Sequence, residues 1–360
     1  MCSLLECWDN DHNKRPSMND VVRRLEAIAS QMTNETFIQP NSNFNDIQSF
    51  NNNIDNDLSL ENVTIKKIID IIFKLTNEGE KREFDIKDDV IDYINKSKTN
   101  LPKIYSWIIN NSNNTNSTFM LGYFYLHGIG IKMNREKAFN SFSISAERNN
   151  LFAQYFMGLC YEFGHGTEED VTMAFKFYEK VAKANCAPGE VRVGYFYSEG
   201  ICVRKDPRSA ICWYEKAAFH GSMVGLLNIA KMYKSGDGVI QDCNKAFEIF
   251  NQLADKNHSK GILMLANCYR YGIGTETDRV KSIELYTQAA ELGNSIAQFS
   301  LASFYEGKYD FMSAMYWYRR SAQLGYEGSK KRISEFEEIA KSEKRISEKR
   351  TNENNEQNII

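Results

Sequence analysis

None of the chain's apolar stretches reaches the ~18 residues that a membrane-spanning helix requires. An excess of one charge is also missing. The 44 Lys and Arg are set against 47 Asp and Glu, a formal net charge of −3. That balance excludes a general nucleic-acid or membrane-surface binder. Proline is scarce, with five in 360 residues, while 42% of the chain is hydrophobic and 25% charged. Collagen-like, mucin-like and wholly disordered chains are thereby excluded. The eight cysteines (Cys2, Cys7, Cys160, Cys186, Cys202, Cys212, Cys243 and Cys268) form no C-x-x-C pair. Neither a zinc ribbon nor a disulfide ladder is expected, and reduced thiols are the simplest reading. The start, MCSLLECWDNDHNKR, has no basic region followed by an apolar stretch, so no signal peptide is expected. The expected location is the cytoplasm, with the nucleus as a second possibility.

What the chain does have is a period. Tyr125, Tyr161, Tyr197, Tyr233, Tyr269 and Tyr305 are each 36 residues apart. Three residues before each lies a small residue: Gly122, Gly158, Gly194, Ala230, Ala266 and Ala302. Three residues after lies Gly128, Gly164, Gly200, Gly236 or Gly272, with Lys308 in the sixth copy. An Asx follows in each copy (Asn134, Asp170, Asp206, Asp242, Asp278 and Asp310). An alanine-rich column, an aromatic column and a second alanine column come next, four residues apart, as in Ala174, Tyr178 and Ala182. The sixth copy is four residues short between Tyr305 and Asp310.

Each column has a physical task. The small residue admits a neighbouring helix, the Tyr fills space between helices, and the glycine stops the first helix in left-handed geometry. The Asx caps the second helix, and Pro207 after Asp206 suits the first helical position. The Ala, aromatic and Ala columns form one apolar stripe. The second helix ends at Asn149, Asn185, Gly221, Asn257, Gly293 and Gly325, again types that tolerate left-handed backbone. The unit is helix–loop–helix–turn, and no single pair can bury its apolar face. The expected fold is all-α: a right-handed α-solenoid of six stacked pairs with helical caps.

The pattern L-G-x-x-Y-x-x-G-x-G…D-x-x-x-A-x-x-W-Y-x-x-A-A resembles the Sel1-like repeat, a relative of the tetratricopeptide repeat. VGYFYSEGICVRKDPRSAICWYEKAAFHG, the third copy, carries it best. The resemblance covers residues 117–328. It implies a scaffold that holds proteins together, often in signalling or protein quality control, and it implies no chemistry. The expected partner is a protein or peptide, with no cofactor, metal, nucleic acid or membrane. In tetratricopeptide-like arrays the first helix of each pair lines the concave face. The resemblance therefore places positions one and four residues after the small column partly in the groove. These include Tyr123, Glu162, Tyr195, Lys231, Lys234 and Arg270, with Ser198 among the earlier copies. A basic centre of Lys231, Lys234 and Arg270 would suit an acidic or phosphorylated segment; an ordinary solvated face is the plainer alternative.

The ends differ from the array. Residues 1–33, with Cys7-Trp8, Arg15-Pro16 and a Val21-Val22 helix, resemble the C-terminal end of a protein-kinase domain. In that family an arginine, matched by Arg15, pairs with a glutamate of the activation segment, which has no counterpart here. The Gly-rich loop, V-A-I-K lysine, H-R-D and D-F-G are absent, so no phosphoryl transfer is expected. Relatives with a kinase joined to Sel1-like repeats, Asn-rich in this way, resemble proteins of symbiotic fungi. About thirty residues are too few for a core of their own. Residues 34–61 read as an Asn-rich disordered linker, 62–116 as capping helices over the edge of repeat one, 329–350 as a C-terminal capping helix, and 351–360 as a tail.

Other chemical signals dissolve in the period. The G-x-G pairs at Gly128, Gly164, Gly236 and Gly272 follow a helix, lack a third glycine and recur in phase, which makes them turns and not phosphate cradles. The five histidines form no H-E-x-x-H, and Cys160 with His165 are too few for zinc. Cys202, Cys243 and Cys268 have no histidine placed to activate them. The aromatic stripe lacks the basic groove of a base-stacking platform.

Overall fold

The computed structural model describes residues 59–79, 86–339 and 341–342, and all regular structure among them is α-helical. The kinase-like segment, most of the Asn-rich linker and the C-terminal tail lie outside the described residues. The chain divides into two units, Met1–Gly225 and Leu226–Ile360.

The first unit opens with α1 (Leu60–Glu78), α2 (Ile86–Lys96) and α3 (Leu101–Asn110). Three helix pairs follow: α4 (Thr115–His127) with α5 (Arg135–Glu147), α6 (Leu151–Phe163) with α7 (Val171–Lys183), and α8 (Ala187–Glu199) with α9 (Pro207–Phe219). The unit boundary falls inside α10 (Met223–Ser235). After α10 come α11 (Cys243–Asp255), α12 (Ser259–Tyr271), α13 (Arg279–Glu291), α14 (Ser295–Gly307) and α15 (Phe311–Gln323), then α16 (residues 327–339). The first helix of each repeat is hereafter its A helix and the second its B helix. Successive helices pack on one another from α3 through α9 and from α11 through α15, and α1 packs on α2, α3, α4 and α8.

The local causes are the columns. Gly128, Gly164, Gly200 and Gly272 end their A helices in the left-handed region. Every Asx then does two things. Its side chain accepts backbone N–H groups of the B helix, from Asn134 to Lys137 N–H at 2.9 Å through to Asp310 and Ser313 N–H at 3.1 Å. Its own N–H donates to the carbonyl of the repeat's column tyrosine, at 2.8–3.0 Å in all six copies. Thus Tyr125, Tyr161, Tyr197, Tyr233, Tyr269 and Tyr305 anchor the loop through backbone as well as ring. Asp206 accepts from the N–H groups of Arg208 and Ser209 and from the Ser209 hydroxyl. Asp206→Ala should lower stability by about 1 kcal/mol, the usual value of an N-cap. A thermal melt of the full chain unchanged by this substitution would contradict the cap.

B helices end as the sequence predicts. Asn149, Asn185 and Asn257 hold φ of 63°, 58° and 56°, and Gly221, Gly293 and Gly325 hold 85°, 85° and 84°. Of the residues that follow, Cys186 makes no capping side-chain bond, while Asn150, Ser222, His258 and Asn294 cap the next A helix with their side chains. His258, almost fully buried, does so by accepting the Gly261 N–H on Nδ1 at 3.0 Å.

The small column meets the aromatic column of the same pair. A methyl group on Gly158 would lie 2.4 Å from the Tyr178 ring, and on Gly122 or Gly194 2.7–2.8 Å from Phe142 or Tyr214. Those rings, with Phe250, Tyr286 and Tyr318, are buried, each contributing roughly 2–3 kcal/mol of burial. The second alanine column is less uniform than expected: Ala218, Ala254 and Ala322 are partly exposed. The residue before it is fully buried in all six repeats: Ser145, Val181, Ala217, Leu253, Ala289 and Ser321.

The caps also differ from expectation in reach. The apolar edge of α1, with Ile65, Ile68, Ile69, Ile72 and Phe73 buried, does more than close repeat one. Phe73 packs edge-on to Phe152 of α6 at 5.5 Å. Ser222 donates to the Asn77 carbonyl, and Gly79 abuts Val224 at the start of α10. The helix therefore crosses the N-terminal turns of successive A helices. At the other end Ile333 and Phe336 of α16 pack against the Ala302, Ala314 and Tyr318 cluster. Ile339, further along the same helix, is 51% exposed and takes no part in that cluster.

His127, at the end of α4, lies 4.3 Å ring to ring from Tyr123. Burial, then the nearby charges of Lys87 and His165, push its pKa down from 6.5 to about 4. Unfolded, the imidazole takes a proton near pH 6.5; folded, it resists until about pH 4. Its stabilising contribution is therefore complete above pH 6.5 and lost as pH falls toward 4, by about 3 kcal/mol across that window. Amide exchange of α4 should weaken over this range more steeply in the native chain than in His127→Gln. Equal slopes would contradict the assignment.

Candidate interaction surface

The A helices present one face of each unit, and in every A helix but α4, where Leu126 is apolar and buried, the twelfth residue is polar. In α6 this is Glu162. It accepts the Tyr178 hydroxyl of its own B helix at 2.6 Å and pairs with Arg192, the sixth residue of the next A helix, at 3.4 Å. Arg192 also lies over the Phe163 and Tyr178 rings. The same triad closes the array at its C-terminal end. Glu306, twelfth in α14, accepts the Tyr318 hydroxyl at 2.7 Å and pairs with Arg332 of α16. Arg332, then the Tyr318 hydroxyl, hold the Glu306 carboxyl below its ordinary value against the opposing effect of burial. Each triad ties a pair to its neighbour.

Repeats four and five invert the charge. The twelfth residues of α10 and α12 are Lys234 and Arg270, and the sixth residues of α12 and α14 are Met264 and Ser300. Arg270 is exposed, stacks beside Tyr271 at 5.2 Å and reaches toward the Tyr286 hydroxyl, which donates to Asn267 at 2.6 Å. Lys231 reaches solvent; desolvation, then the charges of Lys260 and Lys234, hold its pKa below the ordinary lysine value.

The seven residues expected in the groove thus part company, Ser198 being half-buried. Lys231, Lys234 and Arg270 share the A-helix face of the second unit, and Lys260 joins them, a residue the column argument did not reach. In the first unit Tyr195 is 40% exposed, while Glu162 is only 12% exposed and spent on its triad. Tyr123 is a correction. It is 1% exposed, packed against Phe119, His127 and Phe156. It belongs to the first A helix, which α1 and α3 border.

The three buried thiols are poor nucleophiles. Burial pushes Cys160 and Cys186 up to about 12 and Cys268 up to about 11. Both glycines of each G-x-G pair adopt positive φ, and a methyl group on Gly166 would lie 2.1 Å from the Arg135 carbonyl oxygen of the preceding repeat. The second glycine thus permits contact between repeats. Among the described residues, no three His, Cys, Asp or Glu side chains converge as a metal site requires, and no helix is long and apolar enough to cross a membrane.

Stacked helical hairpins with side-chain clasps between neighbours define an α-helical repeat protein. The Sel1 repeat model matches residues 115–150, 151–186, 187–222, 224–258, 259–294 and 295–326, more than half of the chain. The chain belongs to the Sel1 repeat family. Such repeats generally mediate protein–protein interaction. A Sel1 repeat protein from Oxalobacter formigenes is similar at 30% identity and a TM-score of 0.55, over 60% of this chain and 90% of that one. The protective antigen c5321 of uropathogenic Escherichia coli strains, which displays the SLR fold, is similar at 27% identity and a TM-score of 0.53. That match covers 71% of this chain and 56% of the antigen, so the chain spans little more than half the antigen's length. No curated protein matches the chain.

Proposed function

We propose that the protein is a non-enzymatic scaffold or adaptor in signalling, located in the cytoplasm, whose A-helix face holds a protein partner. The observation that carries this reading is α1. Phe73 set on Phe152, with Ser222 bonded to Asn77, makes the A-helix face of repeats one to three a surface that already holds a helix. Buried thiols with raised pKa values and glycines explained by packing support a role without chemistry. A second reading rests on the Cys7-Trp8 and Arg15-Pro16 motif: the array is the regulatory tail of a protein kinase whose catalytic part is elsewhere.

Incubation of the full chain with ATP and Mg²⁺ is expected to give no phosphoryl transfer. Affinity capture on the full chain should retain a stoichiometric protein that slows amide exchange in the A helices. Phosphoryl transfer, or a footprint confined to B helices, would overturn the scaffold reading. A reading frame upstream of Met1 encoding H-R-D and D-F-G would favour the kinase tail.

A further inference from the structure

Resting on the scaffold reading, we infer that the turns on either side of repeat six bind an amphipathic helix of a protein partner, one with an edge of isoleucine and phenylalanine, as the first unit binds α1. The second unit leaves three aliphatic side chains in solvent there: Leu292 at 50%, Ile296 at 47% and Leu324 at 50% exposure. Leu292 and Leu324 are the residues that follow α13 and α15. The corresponding residues of the first four repeats are Arg148, Ala184, His220 and Lys256. A leucine at this point is therefore particular to the last two repeats. A single exposed leucine needs no account, but a group of apolar side chains on adjoining turns marks an interaction surface.

The turns do adjoin. Leu292 and Ile296 flank the turn from α13 into α14, where Asn294 accepts the N–H groups of Ile296 and Ala297. Two contacts bring the next turn alongside. The Ser321 hydroxyl of α15 donates to the Ser295 carbonyl at 2.7 Å, and the Phe299 ring lies 5.1 Å from that of Tyr326. Phe299 and Tyr326, both half-buried, add aromatic surface to the aliphatic groups.

The first unit shows what occupies such an edge. There the second and fifth residues of α6, Phe152 and Tyr155, and the second residue of α8, Pro188, meet Ile72 and Phe73 of α1. In α14 the second and fifth residues are Ile296 and Phe299, apolar again. Under α1, Pro188 is buried, whereas Ile296 is open. α1 buries Ile65, Ile68, Ile69, Ile72 and Phe73 along one side and leaves Lys66, Lys67 and Lys74 exposed. A partner helix with apolar anchors at that spacing, three and four residues apart, fits the edge of the second unit.

The probe is a fluorescein-labelled peptide with the sequence of residues 59–79, titrated into the full chain and read by anisotropy. It should bind, and a counterpart with serine at Ile65, Ile68, Ile72 and Phe73 should bind at least about tenfold more weakly. Ile296→Asp with Leu324→Asp should abolish binding and, because both side chains face solvent, leave the thermal melt in place. In the native chain the bound peptide should slow amide exchange at the starts of α14 and α16. Absence of binding, equal binding of the serine peptide, or indifference to the double substitution would each overturn the inference. Slowed exchange in α6 and α8 with loss of protection in α1 would do the same, since the peptide would then have replaced α1. So would a concentration-dependent dimer of the native chain that the double variant lacks, which would assign the edge to a second copy. If the double variant captures the same partners as the native chain, this edge fails and the scaffold reading stands. If peptide binding holds while no protein is captured, the scaffold reading fails instead.

Discussion

Gly158→Leu should destabilise the array by about 3 kcal/mol or more, the upper range for overpacking a closed core. A methyl group alone at Gly158 would lie 2.4 Å from the Tyr178 ring, and the next ring atoms are at 2.7 and 2.9 Å. Tyr178 has no room to retreat. It is fully buried, with Tyr155 and Phe196 rings 5.7 and 5.8 Å away, and its hydroxyl is held by Glu162. Removing a glycine from a helix interior recovers only about 1 kcal/mol. Repeats four to six carry Ala230, Ala266 and Ala302 in this column, all fully buried, so a methyl is tolerated where the helices stand to suit it; a Leu is not. In a stacked array the damage falls on repeat two and its neighbours first. Thermal melts that rank Gly158→Leu below Asp206→Ala would reverse the roles of the two columns.

Phe73→Asp should release α1 from the A helices. Phe73 is 7% exposed and packs on Phe152, and a carboxylate there would lose its hydration without a partner. Burying an unpaired charge costs well over about 2 kcal/mol, so undocking the helix is the cheaper outcome. The expected result is loss of amide protection across α1 with protection retained in α5, α7 and α9. The aromatic face of Phe152, Tyr155 and Phe156 would then be open. Unchanged protection of α1 would mean that the helix is held without Phe73, by its isoleucine edge and by its C-terminal end at Ser222 and Val224.

The repeat was legible in the sequence because every pair solves the same packing problem with nearly the same residue types. Glycine or alanine under an aromatic ring, an Asx at a helix start and an Asn or Gly at a helix end are narrow solutions, so they recur visibly. The column holding Ser145, Val181 and Leu253 was not legible, since a fully buried position between helices accepts several volumes. The route of α1 was not legible either. Its isoleucine edge announces that the helix docks, but nothing in a single amphipathic helix names the surface that receives it.

The candidate surface was legible only in part. Lys231, Lys234 and Arg270 follow from counting along the column. Tyr123 occupies an equivalent position but belongs to the first A helix, where the register continues and the neighbouring repeat does not. The Glu162 and Glu306 triads depend on residues 26–30 positions apart in sequence. One partner of the second lies in α16, outside the period, so no column count could pair them.

A double-mutant cycle between Gly158 and Tyr178 tests most directly that one small residue and one aromatic ring set each crossing. Gly158→Leu, Tyr178→Ala and the double variant are compared by denaturant unfolding of the full chain. Because the new leucine would fill the space left by the ring, the double variant should be more stable than the sum of the single losses allows, with a coupling of about 1–3 kcal/mol. Losses that add to within about 0.5 kcal/mol would contradict the shared crossing, and with it the packing inferred for all six repeats.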